Sequence, residues 1–237
     1  MKYLVLGDIH GRECWKDIIP KENPDRIIFL GDYVSTHDGV DSEVQINNLK
    51  EILDLKSSLQ DRVILLRGNH DMQHLGYFWA ECSGYDKYVG VEMTKIKEEF
   101  LKSTQWLYIK DNIVFSHAGI STEWLRVANI SSIEEINNIE PDERFGFWPC
   151  KMSDYYGISP TQPLTWIRPQ TLVEYMPEGI TQVVGHSPVK RICNVSIEVR
   201  EKYNIKCSDL WCCDALPEQY LIIENDEFIV KEYENYK

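Results

Sequence analysis

The sequence predicts an α/β (α+β) domain, and three observations predict it. Short apolar runs rich in β-branched residues recur along the 237 residues, and five of them stop at a glycine or small residue followed at once by polar side chains. Between the early runs lie stretches with apolar residues at helical spacing. Near the C-terminus two further runs flank Glu224-Asn-Asp226, a turn signal expected to close a hairpin. Open sheets bind ligands beyond the carboxyl ends of their strands, so the polar clusters are the candidate site.

The first strand is expected at Lys2–Leu6 and stops at Gly7-Asp-Ile-His-Gly11. A short helix running to Pro20 follows, then a second strand over residues 26–30 that stops at Gly31-Asp-Tyr33. Ile46, Leu49, Ile52, Leu53 and Leu59 recur near helical spacing and predict an amphipathic helix over residues 40–59, with its stripe facing the core. The third strand opens Val63-Ile-Leu-Leu-Arg-Gly-Asn-His-Asp71, the stretch around which the chain is organised. Taken alone, Gly68-Asn-His-Asp71 also reads as a helix N-terminus capped by Asn69. Residues 72–90 show no period, and a helix is expected over about 91–103. A fourth strand over residues 112–116 leads to His117-Ala-Gly119, and a fifth at Thr181–Val184 leads to Gly185-His-Ser-Pro188. Residues 121–166 read as an irregular, lid-like connection holding Phe145, Phe147, Trp148, Tyr155, Tyr156 and Trp166, aromatics that fit a binding wall or a core cover equally well. Strand-like runs at 192–199, 210–213, Gln219–Glu224 and Glu227–Glu232 complete a chain read as one domain over residues 1–237.

Composition narrows the function. Hydrophobic residues make up 43% and charged residues 27%, ordinary values for a soluble globular chain. No apolar run approaches the roughly 20 residues of a membrane span. The run before Gly7 is too short for a signal-peptide core, so a cytoplasmic protein is expected. Seven cysteines without Cys-x-x-Cys spacing read as buried free thiols, not as a disulfide framework or zinc knuckle. A formal charge of −13 works against a nucleic-acid surface, which needs basic stripes to displace counterions.

The five strand ends carry Asp8 and His10, then Asp32, then Asn69, then His117, then His186. These are two carboxylates, three imidazoles and one amide oxygen, with no thiolate. This donor set suits Mn²⁺ foremost, with Fe or Zn²⁺ as alternatives. Six donors exceed the needs of one tetrahedral ion, and a carboxylate such as Asp32 can bridge two ions about 3.5–4 Å apart. His70 offers an acid or base, and Arg67 a planar fork for phosphate. His37 and His74 lie off the strand ends and read as structural or supporting groups.

Gly-Asp-Ile-His-Gly, Gly-Asp-Tyr, Arg-Gly-Asn-His-Asp, His-Ala-Gly and Gly-His-Ser-Pro occur in that order, with Leu164-Thr-Trp-Ile-Arg-Pro169 between the last two. In this the chain resembles the calcineurin-like metallophosphoesterases, over positions 4 to about 224. Within them it resembles the serine/threonine phosphoprotein phosphatase branch, with its bacterial and phage members, and the symmetrical dinucleoside tetraphosphatases. The resemblance implies a four-layer fold with a central β-sandwich flanked by helices. It implies Asp8, His10 and Asp32 around one divalent metal, and Asp32, Asn69, His117 and His186 around a second. It further implies His70 as general acid and Arg67 and Arg168 as phosphate-binding groups. The implied reaction is hydrolysis of phosphate monoesters, with metal-activated water attacking phosphorus in line. A phosphorylated protein, or a small phosphorylated molecule, is the expected substrate. A dinucleoside tetraphosphate or another nucleotide or nucleic-acid phosphoester is the alternative.

One motif departs from the family pattern. Gly31-Asp-Tyr-Val-Ser-Thr-His-Asp-Gly39 stands where Gly-Asp-x-x-Asp-Arg-Gly is usual, so a carboxylate that steadies the catalytic histidine and a phosphate-binding arginine are displaced. Asp38 or Asp71 are candidates for the first role and Arg12 for the second. Asp214 stands where the family has Asp-Thr-Gly, but here it opens Asp-Ala-Leu, and no role is assigned to it. A scaffold that has lost catalysis would have dropped a ligand or the acid, and this chain keeps all six ligands and His70.

Overall fold

Two five-stranded mixed sheets form the centre of the protein, which we describe from a computed structural model covering residues 1–36, 39–77, 80, 82–146, 156–196 and 208–234. The first sheet has the order β10-β9-β1-β2-β3, built from β1 (Lys2–Leu6), β2 (Arg26–Phe29), β3 (Val63–Leu65), β9 (Gln219–Glu224) and β10 (Glu227–Glu232). The second has the order β4-β5-β6-β8-β7, built from β4 (Leu107–Lys110), β5 (Ile113–Ser116), β6 (Thr181–Val184), β7 (Cys193–Asn194) and β8 (Leu210–Cys212). Strands β1, β2 and β3 run parallel, which requires a crossover between each pair. Helices α1 (Trp15–Glu22) and α2 (Ser42–Leu59) supply those crossovers.

The layers follow from the two-residue side-chain period of a strand. Tyr3 and Val5 of β1 pack with Ile28, Phe115, Val183, Leu221 and Ile223, the interior between the two sheets. Leu4 and Leu6, on the other face of β1, pack with Trp15, Ile18, Leu49 and Ile52 of the covering helices. On the far side of the second sheet, Val184, Leu210 and Cys212 meet Ala118, Ile167 and Leu172, the last from α7 (Pro169–Leu172). Helices therefore flank a β-sandwich, as the family resemblance implies. No helix among the described residues is long and apolar enough to cross a membrane.

Several elements differ from expectation. Leu107–Lys110 forms β4, which pairs antiparallel with β5. Its last three residues are only half-buried, so the run lacks the apolar signature of the inner strands. Instead of one helix over 91–103 there are two, α4 (Lys87–Lys95) and α5 (Lys97–Ser103), separated at Ile96. A helix does begin after Gly68, α3 (Asn69–His74), but Asn69 does not cap it: Asp71 reaches back to accept the Gly68 N–H at 2.9 Å. Of the 192–199 run, Cys193 and Asn194 are strand, while 197–199 lie outside the described residues. The described residues of the 121–166 connection include α6 (Thr122–Val127) and the 3₁₀ segments Ile133–Asn138 and Glu143–Phe145. Phe145 is core, stacked on Trp106 with ring centroids 3.9 Å apart, whereas Tyr156 is exposed. Phe147, Trp148 and Tyr155 lie outside the described residues. Among the described cysteines Cys14, Cys212 and Cys213 are buried free thiols as expected, Cys82 is half-buried and Cys193 is exposed.

Candidate metal centre

Parallel strands point their carboxyl ends the same way. The loops after β1, β2 and β3 therefore gather at one end of the first sheet, and those after the parallel pair β5 and β6 gather in the second. Asp8, His10, Asp32, Asn69, His117 and His186 all leave from these loops. The backbone turns sharply there: His10, Asp32 and His186 adopt left-handed φ values of 45°, 48° and 61°. Asp and His tolerate that region better than most residues, and such strain concentrates at functional sites. Two glycines permit the packing. A Cβ on Gly68 would collide with Asp32 Oδ1, and one on Gly185 with Asp8 Oδ1.

Asp71 fixes the frame around Asp32. Its carboxylate accepts N–H bonds from Gly68 at 2.9 Å, Asp32 at 2.9 Å and Tyr33 at 2.8 Å. Burial, then the neighbouring Asp32, push the Asp71 carboxyl up to about 8, against three donors that favour its ionised form. Asp71→Asn places an amide N–H₂ against at least one of these buried donors. An expected loss of about 1–3 kcal/mol follows, measurable by urea unfolding, and an unchanged midpoint would contradict the assignment.

Three imidazoles are held by backbone carbonyls. His10 Nδ1 lies 3.0 Å from the Val34 carbonyl, His117 Nδ1 2.9 Å from that of Leu30, and His186 Nε2 3.1 Å from that of Trp166. A carbonyl oxygen can only accept, so each of these nitrogens donates its N–H. The other nitrogen, Nε2 of His10 and His117 and Nδ1 of His186, is then left for a ligand. This is the support that ligating histidines ordinarily receive.

The donors form two overlapping groups, Asp8 with His10 and Asp32, and Asp32 with His117 and His186. Within each group the ligand atoms lie within 4.8 Å of one another, and Asp32 belongs to both. Asn69 Oδ1 sits 2.9 Å from His117 Nε2, which brings all six predicted donors together. Asp8 Oδ2 lies 3.9 Å from His10 Nε2, and Asp32 Oδ2 lies 3.4 Å from His117 Nε2. Buried carboxylates with no Lys or Arg ion partner among the described residues, beside imidazoles whose second nitrogen is already bonded, suit a divalent cation. His70, on the first turn of α3, faces His10 edge-on with centroids 5.4 Å apart, and its N–H bonds Asp32 Oδ1 at 2.9 Å.

The charges pull the protonation states apart. Burial and Asp214 hold Asp8 well above the usual carboxylate range. Burial opposes ionisation of Asp32 too, but His117 and His70 keep it far below that range. Burial disfavours the imidazolium of His117, yet Asp32 and Asp8 overcome it and raise His117 to about 10. Burial lowers His70 to about 4, with Asp32 opposing. A cation needs the neutral Nε2 of His117, which the metal-free protein keeps protonated up to about pH 10. Binding therefore releases at least that proton, and metal affinity is expected to climb by at least about tenfold per pH unit between pH 6 and 9. Calorimetric Mn²⁺ titrations in buffers of different ionisation enthalpy test this, and a pH-independent affinity would contradict it.

The two predicted phosphate arginines part ways. Arg168 Nη1 donates to the His186 carbonyl at 3.0 Å and to Ser187 Oγ at 3.2 Å, and it feels the charges of Asp8, Asp214 and Asp32. Arg67 is a correction. Its guanidinium donates to Thr104 Oγ1 at 3.0 Å and to the carbonyls of Leu101 at 2.8 Å and Thr104 at 2.9 Å, and it lies over the Trp106 ring. It turns away from the metal donors and braces α5. Arg12 takes up a place nearer the centre, with Nη1 3.3 Å from the Asp8 carbonyl. With its carboxylate spent on three amides, Asp71 does not steady His70, and Asp38 lies outside the described residues. His74 is structural, with Nδ1 donating to the His70 carbonyl at 2.8 Å and Nε2 accepting the Asp86 N–H at 3.0 Å. His37 lies outside the described residues.

At the centre, the sequence reading left Asp214 without a role and missed Cys82. Asp214 is a buried third carboxylate whose charge acts on Asp8 and is offset by His10. Cys82 lies against Asn69 and His70 from a loop with no motif of its own.

Comparisons with known proteins give the family and similar folds. Residues 1–209 match the family model described as calcineurin-like phosphoesterase. A Caenorhabditis elegans protein, C06A1.3, named as a serine/threonine-protein phosphatase, is 25% identical over 205 residues. The match covers 82% of this chain and 50% of the relative, so the chain spans about half that protein's length. A cold-active protein-tyrosine phosphatase of a Shewanella species has a similar fold, with TM-score 0.63 and 17% identity, over 98% of this chain and 78% of the other. So does a protein serine/threonine phosphatase of Saccharomyces cerevisiae, described as similar to human phosphatase PP5, with TM-score 0.63 and 15% identity over 100% and 81% of the two chains. With the family model spanning most of its length and the donor groups at its strand ends, the chain belongs to the calcineurin-like phosphoesterases.

Proposed function

We propose that this protein is a cytoplasmic dinuclear metal-dependent phosphatase that hydrolyses phosphate monoesters and acts on phosphoserine or phosphothreonine in proteins. The observation that carries the dinuclear reading is Asp32, common to both donor groups. Asp8 and His10 would hold one divalent cation with Asp32, and Asn69, His117 and His186 would hold the other with it, Mn²⁺ fitting these oxygen and nitrogen donors best and Fe or Zn²⁺ less well. Bound there, such cations supply Lewis-acid neutralisation of phosphoryl charge and make water more acidic. The chain's own groups do the rest. Arg168, fixed through Nη1, and Arg12 bind phosphate oxygens, and two planar forks favour a terminal monoester over a diester. His70 is neutral in the free protein, and an arriving phosphate dianion favours its protonated form. It then donates that proton to the leaving oxygen.

The C. elegans relative's name supports a protein substrate, as does the acidic surface, which repels a polyphosphate more than a basic phosphopeptide. One observation favours the dinucleoside tetraphosphate alternative: Trp166 places an aromatic ring beside the site, 5.3 Å from His186 between ring centroids and under the Arg168 guanidinium. Side-by-side kcat/KM values with Mn²⁺ decide between them. The proposal expects a phosphopeptide to exceed diadenosine tetraphosphate, and a preference for the dinucleotide of about a hundredfold would overturn it.

A further inference from the structure

Asn69 can serve a cation only through its amide oxygen, and its amide group is symmetric in shape, so something must decide which end faces the donors. On one side Oδ1 meets His117 Nε2 at 2.9 Å. On the other Nδ2 donates to the sulfur of Cys82 at 3.3 Å. The same sulfur stands 3.7 Å from His70 Nδ1, so one thiol touches the neighbouring pair Asn69 and His70. Cys82 is itself anchored to the helix that carries both: its backbone N–H donates to Oε1 of the buried Gln73 in α3. The loop is tied down again at Gly84, whose carbonyl accepts from Ser35 Oγ in the divergent segment after Asp32.

We propose that Cys82 is a positioning residue, which holds the Asn69 amide with its oxygen toward the donor cluster by accepting the Nδ2 N–H. Sulfur is a weak acceptor, but the half-buried setting raises the cost of leaving that N–H unpaired. Without the acceptor, the amide is free to turn its nitrogen toward the cluster, where a cation repels it. The effect belongs to the Asn69 side of the centre and leaves Asp8 and His10 alone. The inference rests on Asn69 being a metal donor, and its test reads metal binding instead of turnover, so it stands or falls separately from the choice of substrate.

The experiment compares the wild type with Cys82→Ala and Cys82→Ser by calorimetric Mn²⁺ titration of the metal-free full chain. Thermal unfolding in chelator serves as the fold control. Cys82→Ala is expected to weaken one Mn²⁺ event by about 10- to 100-fold, the usual effect of removing a group that orients a ligand, and to spare the other event. Cys82→Ser, which keeps an acceptor, is expected to restore most of that affinity. In an Asn69→Ala background, Cys82→Ala is expected to change nothing further. Equal affinities in all three proteins would overturn the proposal, and so would equal losses in the Ala and Ser variants, which would assign the effect to packing. Should Cys82→Ala not fold, Cys82→Thr against Cys82→Val makes the same contrast of acceptor and no acceptor at nearly equal volume.

Discussion

Asp32→Asn is expected to lower kcat/KM by more than about 10²-fold and to strip the protein of most of its metal. Groups that merely orient a ligand contribute about 10–100-fold, and Asp32 stands in both donor groups, so its loss exceeds that range. The substitution keeps volume and leaves an oxygen for the His70 N–H that Asp32 Oδ1 now accepts at 2.9 Å. Asparagine also tolerates the left-handed φ of 48° at this position, so the fold is expected to survive. What disappears is the charge that balances two cations. Metal content by elemental analysis, read beside kcat/KM and a circular dichroism spectrum, checks this. A folded Asp32→Asn protein with full metal content would remove the shared carboxylate from the account.

The second large effect is a contrast between substrates. His70→Asn is expected to slow hydrolysis of an alkyl phosphate by about 10²–10⁴-fold, the usual contribution of a positioned acid, and to slow p-nitrophenyl phosphate far less. A poor leaving oxygen needs the proton, and a good one departs without it. The substitution sits on the first turn of α3 beside Asn69, and the backbone N–H bonded to Asp32 is retained. Equal losses on the two substrates would take the acid role from His70 and leave it a supporting group.

The parts legible in the sequence are those that local chemistry determines. Inner strands buried on both faces read as apolar runs, so β1, β2, β3 and β5 stood out, and β6 showed only Val183 and Val184 before the Gly185-His186 that follows. β4 did not, because half-buried edge residues break the apolar run. Asp71 shows why identity alone misleads. It looked like a partner for His70, but its carboxylate closes three amides of its own loop and the loop after β2. Arg67 shows the same limit over a longer reach, since its direction is set by Thr104 and Trp106, more than thirty residues away. The carbonyls of Leu30, Val34 and Trp166, which fix the three imidazoles, carry no residue-type signal at all. Cys82 is visible only once the loops are folded together, and so is the action of Asp214 on Asp8, although Asp214 itself stands out in the sequence.

The central claim is a centre of two cations that share Asp32. Titrating Mn²⁺ into the metal-free protein while following activity and bound metal on the same sample tests it most directly. The account predicts activity that rises with the second equivalent and saturates at two Mn²⁺ per chain. Full activity with one bound Mn²⁺ per chain would contradict it.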